Sequence, residues 1–276
     1  MRVGLLGLCG LWWVLSVQAA DLTVVMDKGQ LLLPEFTGQG IATWDNGDKY
    51  EGGFVNGKRH GKGTYTTTGG DVYVGDYQDS MRHGKGIYTW KSGNKYEGNW
   101  EKNQRHGKGI YTWANGNQYD GDFVHNQKAG KGKFTWENGD VYEGEFKDDQ
   151  RTGKAIYHYK NGDVYEGDYV NDLRHGKGVY KWASGNQYDG DWENNKRSGQ
   201  GTYQWQTGER YTGQFKDDKR DGQGEIQSPY GDIYKGGFKD DKRHGKGSMI
   251  TADGQTLEVC FNEGRRVSPT DNCPAN

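Results

Sequence analysis

Leucine is nearly missing from this chain of 276 residues. Past residue 33 it occurs only as Leu173 and Leu257, and the chain holds only four prolines and three cysteines. Hydrophobic residues amount to 31%, which excludes an ordinary aliphatic globular core. A surplus of positive charge is missing too, with 36 Lys and Arg against 38 Asp and Glu and a net charge of −2. Nucleic-acid binding needs a basic stripe, so no nucleic-acid partner is expected. What the chain does have is 47 glycines and 13% aromatic residues. That is too many rings for a solvated, disordered chain. Any fold here is held by aromatics.

The one long apolar run is MRVGLLGLCGLWWVLSVQAA. A basic Arg2, an apolar stretch from Val3 to Val17 and small residues at its end form a signal peptide over residues 1–19. Val17 and Ala19 supply the cleavage pattern, near Ala19 or Ala20. An uncleaved anchor helix is the alternative, and the run is short for a hydrocarbon core of about 30 Å. The expected location is exported, either periplasmic or secreted. Cys9 then leaves with the signal. Cys260 and Cys273 remain as one pair in an oxidising compartment, expected to form a disulfide.

From Tyr50 onward the chain repeats itself. Tyrosines stand at 50, 73, 96, 119, 142, 165, 188, 211 and 234, always 23 residues apart. Numbering each unit from that Tyr, position 3 is Gly and position 5 is Phe, Tyr or Trp. Position 10 is Lys or Arg, positions 12 and 21 are Gly, and position 14 is Gly except for Ala155.

Stretches such as YEGNWEKNQRHGKGIY and YEGDYVNDLRHGKGVY resemble the MORN (membrane occupation and recognition nexus) repeat. The likeness covers residues 38–266 in about nine full units. Ala129, Thr152, Ser198 and Asp221 depart from the usual His, and Ser228-Pro229 interrupts the eighth unit. The resemblance implies protein interaction, dimerisation or membrane association, with phospholipid contact in some members. Family members often carry the repeats beside a kinase or methyltransferase domain; no such segment accompanies them here.

The residues lead to a fold on their own. Positions 1 to 6 alternate aromatic or Gly with polar residues, the period of a strand. Positions 7 and 8 are pairs such as Asn194-Asn195 and Asp217-Asp218, which tolerate the positive φ of a two-residue type I′ turn. A second two-residue turn would throw position 16 to the opposite face from position 1. A three-residue loop over positions 19 to 21, with the glycine at the last of them left-handed, keeps both on one face. The expected fold is all-β, an elongated, twisted, single-layer antiparallel sheet of tandem 23-residue hairpins, a MORN solenoid with short terminal caps. Its parts are a signal peptide at 1–19, an N-terminal cap at 20–40, the repeat array at 41–256, and a degenerate C-terminal cap with the disulfide at 257–276. In that last cap Leu257, Val259 and Phe261 fill positions 1, 3 and 5.

A regular ladder pairs position 5 with 10, 4 with 11, 3 with 12, 2 with 13 and 1 with 14. One face then gathers aromatic ladders, a basic ladder and glycine columns at 3, 12 and 14. Ring–cation pairs are expected at Phe54/Arg59, Tyr77/Arg82, Trp100/Arg105, Trp192/Arg197 and Phe238/Arg243. The opposite face should carry ion pairs Glu51/Lys62, Glu97/Lys108, Glu143/Lys154 and Glu166/Lys177, together with Asp76/His83 and Asp168/His175.

The sequence offers no catalytic constellation. His60, His83, His106, His175 and His244 recur about 10 Å apart along a sheet, whereas zinc ligands lie ~2 Å from their metal. Gly-Lys-Gly-Thr stretches lack the spacing and helix of a phosphate loop. No nucleophile joins the Asp/His pairs. No catalytic residue, metal or cofactor is expected, and the protein is read as a non-enzymatic scaffold. The expected interaction face consists of Tyr50, Phe54, Arg59, Tyr73, Tyr77, Arg82, Tyr96, Trp100, Arg105, Tyr119, Phe123, Tyr142, Phe146, Arg151, Tyr165, Tyr169, Arg174, Tyr188, Trp192 and Arg197. Through it the chain recruits a protein partner or a second copy. Phospholipid headgroups or a glycan on the same face are the alternative, though the charge balance lacks the basic excess that anionic membranes attract.

Overall fold

The computed structural model describes residues 22–27, 30–31, 35–268 and 273–275. The expected signal peptide and part of the expected N-terminal cap lie outside them. Every regular element among the described residues is a β-strand. The chain forms two units, 1–114 and 115–276.

In the first unit, Gly38–Thr43 opens a run of antiparallel pairings. It continues through Lys49–Val55, Lys58–Thr66, Val72–Gln78, Met81–Thr89, Lys95–Glu101 and Gln104–Thr112. Leu22–Asp27 lies parallel to Gly38–Thr43 and antiparallel to Gln30–Leu31, so the N-terminal segment adds strands to the sheet edge. The second unit repeats the antiparallel plan from Gln118–Val124 to Arg265–Val267.

Two kinds of reversal alternate as the residue types require. Lys102 and Asn103 have φ of 47° and 69°, the positive pair of a type I′ turn. At the other end Gly93 donates its N–H to the Trp90 carbonyl at 2.9 Å and Trp90 donates to Asn94 at 2.9 Å. With Gly93 at φ 90°, this is the three-residue loop that parity demands. Tyr88 consequently pairs with Tyr96, and Tyr96 with Tyr111.

The ladder within each hairpin departs from the regular register. Trp100 pairs with Arg105 as expected, but Gly98 pairs with Gly109 and Glu97 with Ile110. Three residues, His106 to Lys108, oppose the single Asn99. This is a β-bulge with Gly107 left-handed at φ 66°, the conformation glycine adopts without a Cβ penalty. Two extra residues shift the register by two and so leave the faces unchanged.

The shift redraws the ion pairs. Glu51, Glu97, Glu143 and Glu166 stand opposite Thr64, Ile110, Ile156 and Val179, not opposite lysines. Lys62, Lys154 and Lys177 instead reach forward to Asp76, Asp168 and Asp191 of the following hairpin, at 2.7, 2.7 and 2.5 Å. Asp76 does stand opposite His83, whereas Asp168 lies in its bulge. The position-4 side chain also closes the bulge, with Asp191 accepting the Gln200 N–H at 2.9 Å and Asp76 the Lys85 N–H at 3.0 Å.

At the C-terminal end Cys260 and Cys273 are disulfide-bonded, and Val259, Cys260 and Phe261 are buried. Leu257 is not part of that cap's interior; it is 52% exposed. It is paired with Met249, and among the described residues no aromatic ring of a further unit covers it.

Candidate interaction face

The register fixes where each ring goes. Tyr96 runs forward along its own strand, over Gly98 and Gly109, and donates its hydroxyl to the Asn99 carbonyl at 2.8 Å. Neither glycine could carry a Cβ without striking that ring. Tyr165 does the same over Gly167 and Gly178, donating to Asp168 at 3.0 Å. Within a unit such a tyrosine can meet two position-5 rings edge-on. Tyr165 meets Tyr169 of its own hairpin at 5.4 Å and Trp192 of the next at 5.3 Å, the geometry that aromatic quadrupoles favour.

These contacts close the rings off from solvent. Tyr50, Tyr96, Tyr119, Tyr142, Tyr165 and Tyr188 are fully buried, and Tyr73, Tyr77 and Tyr169 almost so. Phe54, Trp100, Phe123, Phe146 and Trp192 are buried as well. Burial pushes the Tyr50 and Tyr96 hydroxyls up to about 12. These aromatic members of the expected interaction face form the core of the protein. A single layer buries them because glycine lets each ring lie against the backbone.

The cationic members hold neighbouring hairpins together. Arg59, Arg82, Arg105, Arg151, Arg174 and Arg197 are partly buried. Arg82 lies 4.5 Å from the Trp100 ring and Arg174 4.4 Å from Trp192. Each guanidinium thus sits over the position-5 ring of the following hairpin rather than its backbone-paired ring. The same forward reach takes Arg59 to Tyr77, Arg197 to Phe215 and Arg243 to Phe261, while Arg105 lies over Tyr96 and Tyr111. The turn of the next hairpin fixes it: Arg174 donates from Nη2 to the Asn195 carbonyl at 2.8 Å. Burial lowers the Arg82 pKa.

The rings left partly open are those at position 18 and some at position 16, where Tyr157 and Tyr180 are buried. In the second unit the two rows form one zigzag. Trp136 meets Tyr157 at 5.2 Å, Tyr157 meets Tyr159 at 4.3 Å, and Tyr159 meets Tyr180 at 5.7 Å. Tyr180, Trp182, Tyr203 and Trp205 follow at 4.5, 5.3 and 4.6 Å. The position-16 rings lie deeper, and several are held by the carboxylate at position 22 of the preceding unit. Tyr180 donates to Asp163 at 2.7 Å, and Asp163 also accepts the Ala183 N–H at 2.8 Å. Burial opposes the charge on Asp163, but the Ala183 amide, Tyr180 hydroxyl and Asn161 amide outweigh it and lower its pKa. The strip ends after Trp205, because Ile226 and Ser228 replace the next two rings.

Position 18 was visible in the sequence as an aromatic ladder, yet nothing in a strand pattern says which ladder stays open. That depends on which rings have glycine beneath them.

A family model for the MORN repeat matches residues 35–49 and then every 23-residue block from 50–72 to 234–256. No curated protein matches the chain. Among solved structures it is similar to the TCP10 domain of Danio rerio CPAP in complex with a peptide of STIL. Identity is 13%, with 82% of this chain and 94% of that one covered at a TM-score of 0.42. It is also similar to the Drosophila melanogaster SAS-4 TCP domain in complex with a proline-rich motif of Ana2. There the identity is 15%, with 56% and 85% covered at a TM-score of 0.36.

Proposed function

Because the chain belongs to the MORN repeat family, we propose that it is a non-enzymatic scaffold of an exported compartment, recruiting a protein partner or a second copy of itself. The observation that supports this reading is the ring strip from Trp136 to Trp205. Its position-18 rings are only half-buried, and contiguous apolar surface of this kind marks interaction sites. The rings beneath, at positions 1 and 5, and the basic row that clips hairpins together keep the strip in a fixed shape, so that little ordering is needed on binding. Export rests on the signal-like residues 1–19 and suits the Cys260–Cys273 disulfide.

The test is affinity capture and cross-linking of the mature chain in its native envelope, with light scattering of the purified protein. Specific partners or dimers are expected. A solitary monomer in all three measurements overturns the reading. Flotation with anionic liposomes or retention on cell-wall polysaccharide, without protein capture, replaces it with ligand binding.

A further inference from the structure

The ring strip of the second unit has a spacing, a set of unused donors and one unbalanced charge that together specify an occupant. Trp136, Tyr159, Trp182 and Trp205 occupy position 18 of successive units. Two antiparallel strands separate each from the next, a step of ~9.6 Å at ~4.8 Å per strand. A polyproline II helix turns once every three residues at ~3.1 Å rise, a step of ~9.3 Å. One turn of such a helix therefore meets one ring, across several units, without strain.

The donors agree. Each of the four rings ends in an N–H or O–H for which the described residues supply no hydrogen-bond acceptor. Trp192, by contrast, donates its indole N–H to Gly178 at 3.0 Å. No fully buried side-chain nitrogen or oxygen among the described residues lacks a partner, so those four groups keep some access to solvent, the Tyr159 hydroxyl less than most, since burial raises its pKa. A polyproline II helix has no internal hydrogen bonds and presents its carbonyls outward. The charge agrees as well. Beside the strip, the other arginines each face an aspartate, as Arg151 faces Asp172, but the turn partner of Arg174 is the neutral Asn195. A ligand acid next to Tyr159, the strip ring whose hydroxyl Arg174 acts on, finds that uncompensated guanidinium.

We propose that the strip from Trp136 to Trp205 binds a proline-rich segment in the polyproline II conformation, with proline at every third residue and an acidic residue beside Arg174. This deepens the scaffold reading and rests on it, because it names the chemical class of protein partner. The low conformational entropy of such a segment suits a shallow, rigid, aromatic surface.

The test is calorimetric titration of the full mature chain with a capped synthetic peptide carrying proline at every third position and one central glutamate. A peptide of the same composition with the prolines clustered is the control. Binding to the first peptide and at least tenfold weaker binding to the second are expected. Trp182→Ala should weaken binding tenfold or more. Trp182→Phe, which keeps a ring and loses the donor, should weaken it severalfold with the thermal midpoint unchanged. Arg174→Gln should remove the preference for glutamate over glutamine in the peptide. No binding up to about 1 mM, equal binding of both peptides, or binding of a β-linked glucan oligomer in their place overturns the inference. Failure here alongside successful partner capture leaves the scaffold standing; binding without any captured partner does the reverse.

Discussion

Tyr165 lies flat across Gly178, so that a Cβ on that glycine would come within 2.6 Å of ring carbon Cε2. The second unit contains its own measure of what this contact tolerates. At the equivalent place Ala155 faces Gly144, and Tyr142 remains buried but meets Phe146 at 75° rather than the 88° between Tyr165 and Tyr169. A methyl is thus accommodated with the ring still buried. Gly178→Ala should lower stability at the bottom of the ~1–3 kcal/mol range for overpacking, and Gly178→Val at its top or beyond. Urea unfolding midpoints of the two variants check this; equal midpoints contradict it.

The bulge glycines make a different demand. Gly176 has φ 66°, where an L-residue loses roughly 1–2 kcal/mol. Gly176→Ala should cost about that much, while Gly176→Asn should cost distinctly less because asparagine tolerates the left-handed region. Thermal midpoints that rank Ala above Asn would remove the conformational explanation.

The bulge was also the main feature hidden in the sequence. Tyr, Gly and the Asn-Asn or Asp-Asp pairs displayed the hairpins, both turn types and the common side of Tyr96 and Tyr111. Gly107 displayed only a glycine, equally at home under a ring or in a bulge, and the two choices differ by a register shift that parity cannot detect. From that one ambiguity follow the changed partners of Glu97 and the path of Tyr96 over two glycines. The candidate face was legible as a set of ladders, but not as layers. Tyr165 is core and Trp182 half-open because only the former has Gly167 and Gly178 to lie on.

Buried phenols tie stability to alkaline pH. Burial pushes Tyr50 and Tyr96 up to about 12, and burial together with the Asp48 carboxylate does the same to Tyr65. The folded chain holds these protons more tightly than the unfolded chain, whose tyrosines ionise near 10. Their contribution is therefore complete below about pH 10 and declines as pH rises from there through about 12. Phenolate absorbance and far-ultraviolet dichroism, followed together, should show late ionisation coinciding with loss of β-structure. A full phenolate wave near pH 10 with the fold intact contradicts the burial.

Lys128 occupies the place that Arg151 and Arg174 hold in later hairpins. Its ammonium lies 5.3 Å from the Phe134 ring and 5.4 Å from Phe146, and burial lowers its pKa. Arg151 makes those ring contacts and also donates from Nη2 to the Asp172 carbonyl at 2.9 Å; a compact ammonium lacks that fork. Lys128→Arg should give Asp149 the same partner and raise stability by about 0.5–1.5 kcal/mol, the ordinary net value of one hydrogen bond. A lower urea midpoint would show that the site cannot take the larger head group.

Reduction of Cys260–Cys273 should act locally. The bridge closes a loop with a sequence separation of 13, for which the chain-entropy model gives about 3 kcal/mol. In a repeat array each hairpin is stabilised mainly by its immediate neighbours, so that energy is felt first by Thr256–Asn262. Among the described residues that strand pairs on its outer side with just three, Arg265–Val267, and its Leu257 is already half-exposed. Hydrogen exchange after reduction should therefore accelerate in Thr256–Asn262 and fade within one or two hairpins, leaving the amides of Gln187–Glu193 at their original rates. Uniform acceleration across the second unit would mean that its hairpins unfold as a single cooperative block, and that the C-terminal clip guards the whole unit rather than its last strand.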